Sequence, residues 1–190
     1  MDTEREIDVS VLVPVHNSRA QLDRCLTSLL IQRVTMEIIV VDDGSMDGSG
    51  DLLDLYAAHH RDRIRVLRHA RRWGPGRARN LALAEARGRY VFFCDADGHL
   101  GREALERMLA MAERNHSDIV LGKIVGHGRR APVSMFEQSV EGVELGDSNV
   151  YNSLSCFKLF RRELLERHRI RFGEGMLVGQ QGPPADLEPK

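Results

Sequence analysis

Residues 90–99 read Tyr-Val-Phe-Phe-Cys-Asp-Ala-Asp-Gly-His, an apolar run that ends in two carboxylates spaced by one residue. The apolar run has the length and composition of a strand buried on both faces, so it predicts a strand inside a parallel sheet. Asp95 and Asp97 would then lie at the carboxyl edge of that sheet, where open α/β folds bind ligands. Carboxylate oxygens at this edge suit Mg²⁺ or Mn²⁺, which can hold a substrate diphosphate.

Two further strands with polar ends support this interpretation, because a lone Asp-x-Asp is more often a turn or a helix cap than a metal site. The apolar stretch 36–41 runs directly into Asp42 and Asp43, and the apolar stretch 9–15 is followed by His16 and Asn17. The carboxyl ends of parallel strands share one edge of a sheet. We therefore expect the three strand ends to form one site.

The hydrophobic pattern alternates between strand and helix along most of the chain. The predicted strands cover residues 9–15, 36–42, 64–67, 90–94, 119–125 and 157–160, and the predicted helices cover about 20–32, 52–56, 81–86, 104–112 and 161–167. This alternation predicts an α/β fold with a mostly parallel sheet and helices on both faces. We expect one domain over residues 1–178, with a core at about 9–125, and a disordered tail over 179–190.

Composition excludes several classes of protein. A net charge of -1 and a pI near 6.7 predict no general affinity for nucleic acid or anionic membranes. No apolar run approaches the roughly 18 residues of a transmembrane segment, and the acidic amino terminus lacks the features of a signal peptide. Cys25, Cys94 and Cys156 are odd in number and far apart, which disfavours a disulfide framework. We expect a cytoplasmic location, with peripheral contact at the inner membrane face as an alternative.

Two competing ligand sites fit the sequence poorly. Residues 74–79 begin like the glycine-rich fingerprint of NAD-binding folds, but Arg79 stands where the last glycine belongs. Residues 43–54 imitate a calcium loop, but Ser45 and Asp54 replace required ligands, and a strand precedes the loop instead of a helix. The eight arginines between residues 61 and 79 are more typical of a solvated face, although they can also guide a diphosphate or a polyanion.

The combined site favours a nucleotide ligand. An uncharged His16 can stack on a nucleobase or hydrogen-bond to it, and a carboxylate such as Asp43 can accept a base N–H. Arg77 and Arg79 are predicted at the start of a helix, where backbone N–H groups and guanidinium groups both suit a diphosphate. A metal bound by Asp97 would stabilise the charge of a departing nucleotide.

Four motifs in this order resemble those of the family 2 glycosyltransferases, which have the GT-A fold. They are Val-Ser-Val-Leu-Val-Pro-Val-His-Asn at 9–17, Val-Val-Asp-Asp-Gly-Ser at 40–45, Gly-Pro-Gly-Arg-Ala-Arg-Asn at 74–80 and Phe-Cys-Asp-Ala-Asp at 93–97. The resemblance implies a Rossmann-related GT-A domain that binds a nucleotide sugar, most often a UDP-sugar. It also implies inverting transfer of a sugar to an acceptor hydroxyl.

The resemblance assigns roles to individual residues. It implies that Pro14, His16 and Asn17 line the nucleoside pocket, with Asp43 at the base. Asp42 and Arg77 belong to the same predicted substrate site. The substrate-binding candidates are thus Pro14, His16, Asn17, Asp42, Asp43, Arg77, Arg79 and Asp95. It further implies that Arg79 lies near the diphosphate and that Asp95 and Asp97 hold a divalent metal, Mg²⁺ or Mn²⁺.

The later stretches 127–130, 158–162 and 170–176 are similar to bacterial members that decorate polyol-phosphate or other cell-surface polymers, a role in cell envelope biogenesis. In that pattern Gly179 is followed by Glu-Asp, whose Asp is the expected catalytic base, whereas Gln180 and Gln181 stand here. The catalytic residue is therefore unknown, and Glu174 is the nearest candidate. The alternative is a non-catalytic nucleotide-sugar-binding module or an inactive truncated remnant, and an arginine-rich nucleic-acid binder is disfavoured.

Overall fold

The computed structural model describes residues 6–122 and 158–173. Within these ranges strands and helices alternate, as the hydrophobic pattern predicts. In chain order the elements are β1 (Val9–Val15), α1 (Arg19–Leu30), β2 (Met36–Asp43), α2 (Ser49–His59), β3 (Ile64–His69), α3 (Pro75–Ala84), β4 (Tyr90–Phe93), α4 (Ala104–Arg114), β5 (Ile119–Leu121), β6 (Lys158–Arg161) and α5 (Arg162–Arg167).

The described strands form one six-stranded sheet in the order β3-β2-β1-β4-β6-β5. The first four strands of the chain pair in parallel, whereas β6 runs antiparallel to both β4 and β5. The prediction of a mostly parallel sheet is therefore confirmed. The order of the sheet places β1 between β2 and β4, so that the three strands with polar ends are neighbours.

The apolar strands are buried on both faces, which explains why their hydrophobic runs are continuous. On one face, alternate residues of β1 such as Val11 and Val13 pack with Leu22 and Leu26 of α1, and α2 and α4 contribute to the same core. On the other face, Leu12 of β1 joins a smaller core that includes residues of α3 and α5. Helices cover both faces of the sheet, as predicted.

The boundaries of α3 differ from the prediction. The helix begins at Pro75 rather than near residue 81 and ends at Ala84. Proline suits the first helical position, because its fixed φ is helical and its missing N–H has no partner there anyway. Gly88, four residues beyond the helix, lies against β1. A Cβ on Gly88 would come within 2.5 Å of the Ser10 backbone nitrogen.

Other predicted boundaries are partly observed. The strand predicted over 119–125 covers Ile119–Leu121, and residues 123–125 lie outside the described ranges. The predicted disordered tail and the domain limit at residue 178 also lie outside them and stay predictions. None of the helices in the described part of the chain has the length and hydrophobicity needed to span a bilayer.

Candidate functional site

The carboxyl ends of the parallel strands bring the predicted residues to one edge of the sheet. Val15, the last residue of β1, pairs with Asp42 of β2, and Leu12 of β1 pairs with Phe93, the last residue of β4. The segments that follow these three strands are therefore neighbours along the edge. Asp42 and Asp43 are the last residues of β2, His16 and Asn17 follow β1, and Asp95 and Asp97 follow β4. Pro14 lies within β1 and is partly buried.

A chain of hydrogen bonds fixes the turn after β1. The Met46 backbone N–H donates to Asn17 Oδ1 at 2.8 Å, which leaves Asn17 Nδ2 facing His16 Nε2 at 3.3 Å. His16 Nδ1 lies 2.9 Å from the Asp43 carbonyl oxygen and donates to it. Because Nε2 accepts while Nδ1 donates, this arrangement needs the neutral Nδ1–H form of His16. The uncharged imidazole expected from the sequence fits this geometry.

Asp42 has a local partner in the turn that follows β2. Its Oδ1 accepts the Ser45 backbone N–H at 3.0 Å, and its Oδ2 lies 3.9 Å from Arg68 Nε. The side chain is almost buried. Asp42 therefore stabilises the turn, which is the common role of aspartate at this kind of position.

The carboxylate of Asp43 accepts three hydrogen bonds. Oδ1 accepts from His69 Nδ1 at 2.6 Å and from the Trp73 backbone N–H at 2.9 Å, and Oδ2 accepts from the Gly74 backbone N–H at 2.7 Å. Burial alone would raise the pKa of Asp43, but these hydrogen bonds outweigh it and lower the pKa below its usual value. Asp43 is therefore an ionised carboxylate that ties the loop after β3 to the end of β2.

Arg79 of α3 pairs with Asp95 beyond the end of β4. Arg79 Nη2 lies 2.6 Å from Asp95 Oδ1, and both side chains are partly buried. The guanidinium also lies over the ring of Phe172, 5.1 Å from its centroid. Asn80 binds the backbone of Phe172 through both its amide atoms, at 3.0 and 2.9 Å. The contacts with Asp95 and Phe172 hold the Arg79 guanidinium beside the Asp95 carboxylate.

Arg77 points in a different direction from Arg79. Its guanidinium lies 4.3 Å from the centroid of the Trp73 ring. The two arginines that were expected to serve one diphosphate therefore contact different groups, Asp95 for Arg79 and Trp73 for Arg77. The role of Arg77 toward a diphosphate stays a prediction.

Asp97 and Asp95 have the chemistry for a divalent cation but are not part of a larger acidic group. Asp97 is exposed and Asp95 is partly buried. Among the described residues there is no cluster of three or more His, Cys, Asp or Glu side chains that could hold a metal. Mg²⁺ is commonly bound through one or two carboxylates plus substrate phosphates. Two carboxylates beside a predicted diphosphate site therefore fit a metal that binds together with its substrate.

The segment after Asp97 is hydrogen-bonded to the C-terminal part of α1 and to the residues just beyond it. Gln32 Nε2 donates to the Gly101 carbonyl at 2.8 Å, and Gln32 Oε1 accepts the Leu105 N–H at 3.0 Å. Ser28 Oγ accepts the Leu100 N–H at 3.0 Å. The side chains of Ser28, in α1, and of Gln32, just beyond its end, are both buried. The loop that carries Asp97 is thus held by buried hydrogen bonds.

Sequence reasoning missed several residues that contact this edge or hold the segment after Asp97. His69, Phe172 and the pair Ser28 and Gln32 each act through contacts between distant parts of the chain. Trp73 could have been noticed from the sequence, because it is the single tryptophan and lies in an arginine-rich run. The proposed base Glu174 lies outside the described residues, as do Gln180 and Gln181.

The chain is similar to known proteins over most of its length. A family model described as Glycosyl transferase family 2 matches residues 10–169. The poly(ribitol-phosphate) beta-glucosyltransferase of Bacillus spizizenii is 39% identical over 168 residues, which are 86% of this chain and 26% of that protein. The poly(ribitol-phosphate) beta-N-acetylglucosaminyltransferase TarS of Staphylococcus aureus is 35% identical over 169 residues, which are 87% of this chain and 29% of that protein.

Solved structures agree with these relatives. The crystal structure of Staphylococcus aureus TarS 1–349 in complex with UDP matches with a TM-score of 0.82 and 32% identity. The match covers 91% of this chain and 52% of that one. The chain therefore spans about a quarter to a half of the lengths of these relatives.

Proposed function

The chain belongs to glycosyl transferase family 2 and has a GT-A fold, and from this premise we propose that it binds a UDP-sugar for glycosyl transfer. The reaction is inverting transfer, in which an acceptor hydroxyl attacks the anomeric carbon, the bond from that carbon to the diphosphate oxygen breaks so that UDP leaves, and a carboxylate takes the hydroxyl proton. The acceptor is a polyol-phosphate or another cell-surface polymer. The observation that carries the proposal is the edge of the sheet, where the His16 imidazole, the ionised Asp43 carboxylate and the Arg79–Asp95 pair lie at the ends of neighbouring strands.

The nucleoside end of the ligand belongs at the ends of β1 and β2. His16 and Asn17 lie in the turn after β1, Pro14 lies near the end of β1, and Asp43 is the acid that can accept a base N–H. A carboxylate has about four acceptor sites, and the hydrogen bonds from His69, Trp73 and Gly74 use three of those of Asp43. One site remains for the base. TarS, the relative solved with UDP, supports a uridine nucleotide as the ligand.

The diphosphate end belongs beside Arg79 and Asp95. A guanidinium presents several N–H donors in a plane, which suits phosphate oxygens. Asp95 and Asp97 would hold Mg²⁺ or Mn²⁺ at the same place, because hard oxygen ligands and substrate phosphates together complete such a site. When bound, the metal supplies positive charge that stabilises the departing nucleoside diphosphate.

Two relatives support the acceptor class, since the names of both contain poly(ribitol-phosphate). The transfer also needs a base that takes the proton of the acceptor hydroxyl. Gln180 and Gln181 carry no carboxylate, so Glu174 is the candidate that the sequence offers. The same observation favours a second candidate function, a module that binds the nucleotide sugar without transferring it.

Free Cys25 and Cys94 agree with a reducing compartment, and we place the protein in the cytoplasm.

Calorimetry with UDP tests the proposal. In the presence of Mn²⁺ we expect UDP to bind, and we expect EDTA to remove most of that binding. Asp97→Asn should weaken binding in Mn²⁺ by roughly tenfold or more, as for the loss of an interaction with a charged group. The control is Asp62→Asn, which removes an exposed acid in the turn before β3. Equal UDP affinity with and without metal would contradict the metal site, and no UDP binding would contradict the donor class.

A further inference from the structure

The chain segment that follows α5 packs against α3 beside the candidate site. Asn80 Nδ2 donates to the Phe172 carbonyl oxygen at 3.0 Å, and the Phe172 N–H donates to Asn80 Oδ1 at 2.9 Å. One amide side chain of α3 thus binds both backbone groups of a residue 92 positions away in the sequence. Because a planar amide fixes the direction of both hydrogen bonds, the backbone of Phe172 has a defined position on the helix.

Gly76 provides room for the same segment. It lies four residues before Asn80, so that the two residues share one face of α3. A Cβ added to Gly76 would lie 2.4 Å from the carbonyl oxygen of Gly173, which is closer than a side chain tolerates. The backbones of α3 and of the segment after α5 are therefore in direct contact at this point.

The ring of Phe172 contacts both elements that carry the Arg79–Asp95 pair. It packs edge-on against Phe93, with 4.9 Å between the ring centroids and an interplanar angle of 76°. Phe93 is the last residue of β4 and lies two positions before Asp95. The Arg79 guanidinium of α3 lies over the Phe172 ring, 5.1 Å from its centroid. A single aromatic side chain thus bridges α3 and the end of β4.

A cation–π contact orients Arg79 without using its hydrogen-bond donors. The five N–H donors of a guanidinium lie in its plane, whereas an aromatic ring attracts the cation through the ring face. Asp95 Oδ1 accepts from Arg79 Nη2 at 2.6 Å. A second carboxylate in the place of the ring would take up further donors. Phe172 instead leaves them for phosphate oxygens.

Phe160 of β6 shows that packing on Phe93 does not require a contact with an arginine. Its ring also lies edge-on to Phe93, with 5.8 Å between the centroids and an angle of 71°. Phe160 and Phe172 are both partly buried and pack against the same core. Among the described residues the contact with the Arg79 guanidinium belongs to Phe172. Core packing alone therefore does not predict that the Phe172 ring lies beneath Arg79.

We propose that Phe172 is a positioning residue of the donor site, which holds the Arg79 guanidinium in the orientation that receives the diphosphate. The inference rests on the proposed function for the identity of the diphosphate. Asn80 and Gly76 fix the backbone of Phe172, and its ring in turn fixes the plane of the guanidinium. An arginine that is already oriented loses less side-chain entropy when it binds a phosphate, so the contact strengthens donor binding.

Calorimetry with variants of the intact chain tests the proposal. Phe172→Leu keeps the position apolar but removes the ring, and it should weaken UDP binding in Mn²⁺ roughly threefold to tenfold, the worth of a cation–π contact. Phe172→Tyr keeps the ring and should bind UDP like the unmodified chain. Uridine, which has no phosphate, should bind equally to all three chains.

The matched control is Phe160→Leu, which removes the other ring from Phe93 but no contact with Arg79. It should leave the affinity for UDP unchanged. An equal loss of UDP affinity in this control, or weaker uridine binding in Phe172→Leu, would overturn the proposal by indicating a general effect of packing. Unchanged UDP affinity in Phe172→Leu, or a loss in Phe172→Tyr equal to that in Phe172→Leu, would also overturn it.

Asn80→Ala tests the same contact by another route, because it releases the backbone of Phe172 and keeps the ring. This variant should also weaken UDP binding in Mn²⁺ and leave uridine binding unchanged. Equal losses for the two ligands would show that Asn80 supports the fold in general, which would overturn its part in the proposal.

A spectroscopic measurement on the ligand-free chain separates this proposal from the proposed function. A ring current shifts the proton signals of a group above an aromatic face upfield. The Nε–H signal of Arg79, assigned by its loss in Arg79→Lys, should therefore lie upfield, move downfield in Phe172→Leu and stay in place in Phe160→Leu. A signal that does not respond to loss of the Phe172 ring would overturn the positioning of Arg79. Failure of the unmodified chain to bind UDP, with the ring-current shift present, would contradict the proposed function alone.

Discussion

His69 Nδ1 donates to Asp43 Oδ1 at 2.6 Å and joins the last residues of two neighbouring strands. The two residues are direct partners in the parallel register of β2 and β3. The same carboxylate binds the backbone of Trp73 and Gly74. The single buried acid Asp43 thus lies at the proposed base pocket and also binds the loop between β3 and α3.

Asp43 and Asp97 should differ in their effect on uridine, which carries no phosphate. Asp43→Asn should weaken uridine binding, since losing a hydrogen bond to a charged group costs roughly 1.5–3 kcal/mol. Asp97→Asn should leave uridine binding nearly unchanged, because its proposed partner is a metal at the diphosphate. Calorimetry with uridine and with UDP measures both effects. Similar losses of uridine affinity in the two variants would show that this division of roles is wrong.

The lowered pKa of Asp43 predicts how the free energy of unfolding depends on pH in acid. Hydrogen bonds from His69, Trp73 and Gly74 overcome burial and keep the folded pKa below the usual value of 3.8. As the pH falls, Asp43 therefore binds a proton at a higher pH in the unfolded chain than in the folded chain. The stabilisation by Asp43 is fully present above that usual value. It is lost as the pH falls through the lower folded pKa.

Urea unfolding at several acidic pH values measures this dependence. The free energy of unfolding should fall less steeply with acid in Asp43→Asn than in the unmodified chain. Asp47→Asn provides a comparison, because hydrogen bonds with Ser49 and Arg19 also outweigh burial and lower the pKa of Asp47. An unchanged slope in Asp43→Asn would mean that this carboxylate does not contribute to acid sensitivity.

The fold and the position of the candidate residues at one edge of the sheet were predictable because they depend on local patterns. Continuous apolar strands that end in Asp42, Asp43 and Asp95 are visible in the sequence, and parallel pairing places their ends on one edge. The contact of His69 with Asp43 was not predictable, because it depends on the register of two strands. The start of α3 was missed because Gly74-Pro75-Gly76 has the composition of a loop, although Pro75 is the first helical residue.

Contacts between residues that are far apart in the sequence were equally unpredictable. Asn80 and Phe172 are 92 residues apart in sequence yet hydrogen-bond to each other. The pairing of Arg79 with Asp95 depends on how α3 packs on the sheet, and the sequence indicated only that both residues belong to the site. Long-range side-chain contacts of this kind follow from tertiary packing and have no signature in the local pattern.

Gln32 should stabilise both the fold and the loop that carries Asp97. Gln32→Leu removes hydrogen bonds to Ser28, Gly101 and Leu105 and leaves buried backbone groups without their partner. We expect the free energy of unfolding to fall by roughly 1–3 kcal/mol. Thermal unfolding measures the loss, with Gln21→Leu on the exposed face of α1 as the matched control.

The same variant should also affect the proposed metal site. If buried hydrogen bonds hold the Asp97 loop, Gln32→Leu should weaken the binding of UDP in Mn²⁺ more than the binding of uridine. Measurements well below the melting temperature separate this effect from unfolding. Equal changes for both ligands would indicate a general loss of structure rather than a displaced loop.

Transfer by this chain should be weak even where donor binding is intact. General-base assistance typically contributes about 10²–10⁴-fold in rate, and Gln180 and Gln181 offer no carboxylate where the family pattern has Glu-Asp. We therefore expect slow hydrolysis of a UDP-sugar at most, measured as UDP release. Gln181→Asp alone should not restore efficient transfer, because a general base acts only when it is held within hydrogen-bond reach of the acceptor hydroxyl. Robust turnover that Glu174→Gln abolishes, while UDP affinity is retained, would instead identify Glu174 as the base.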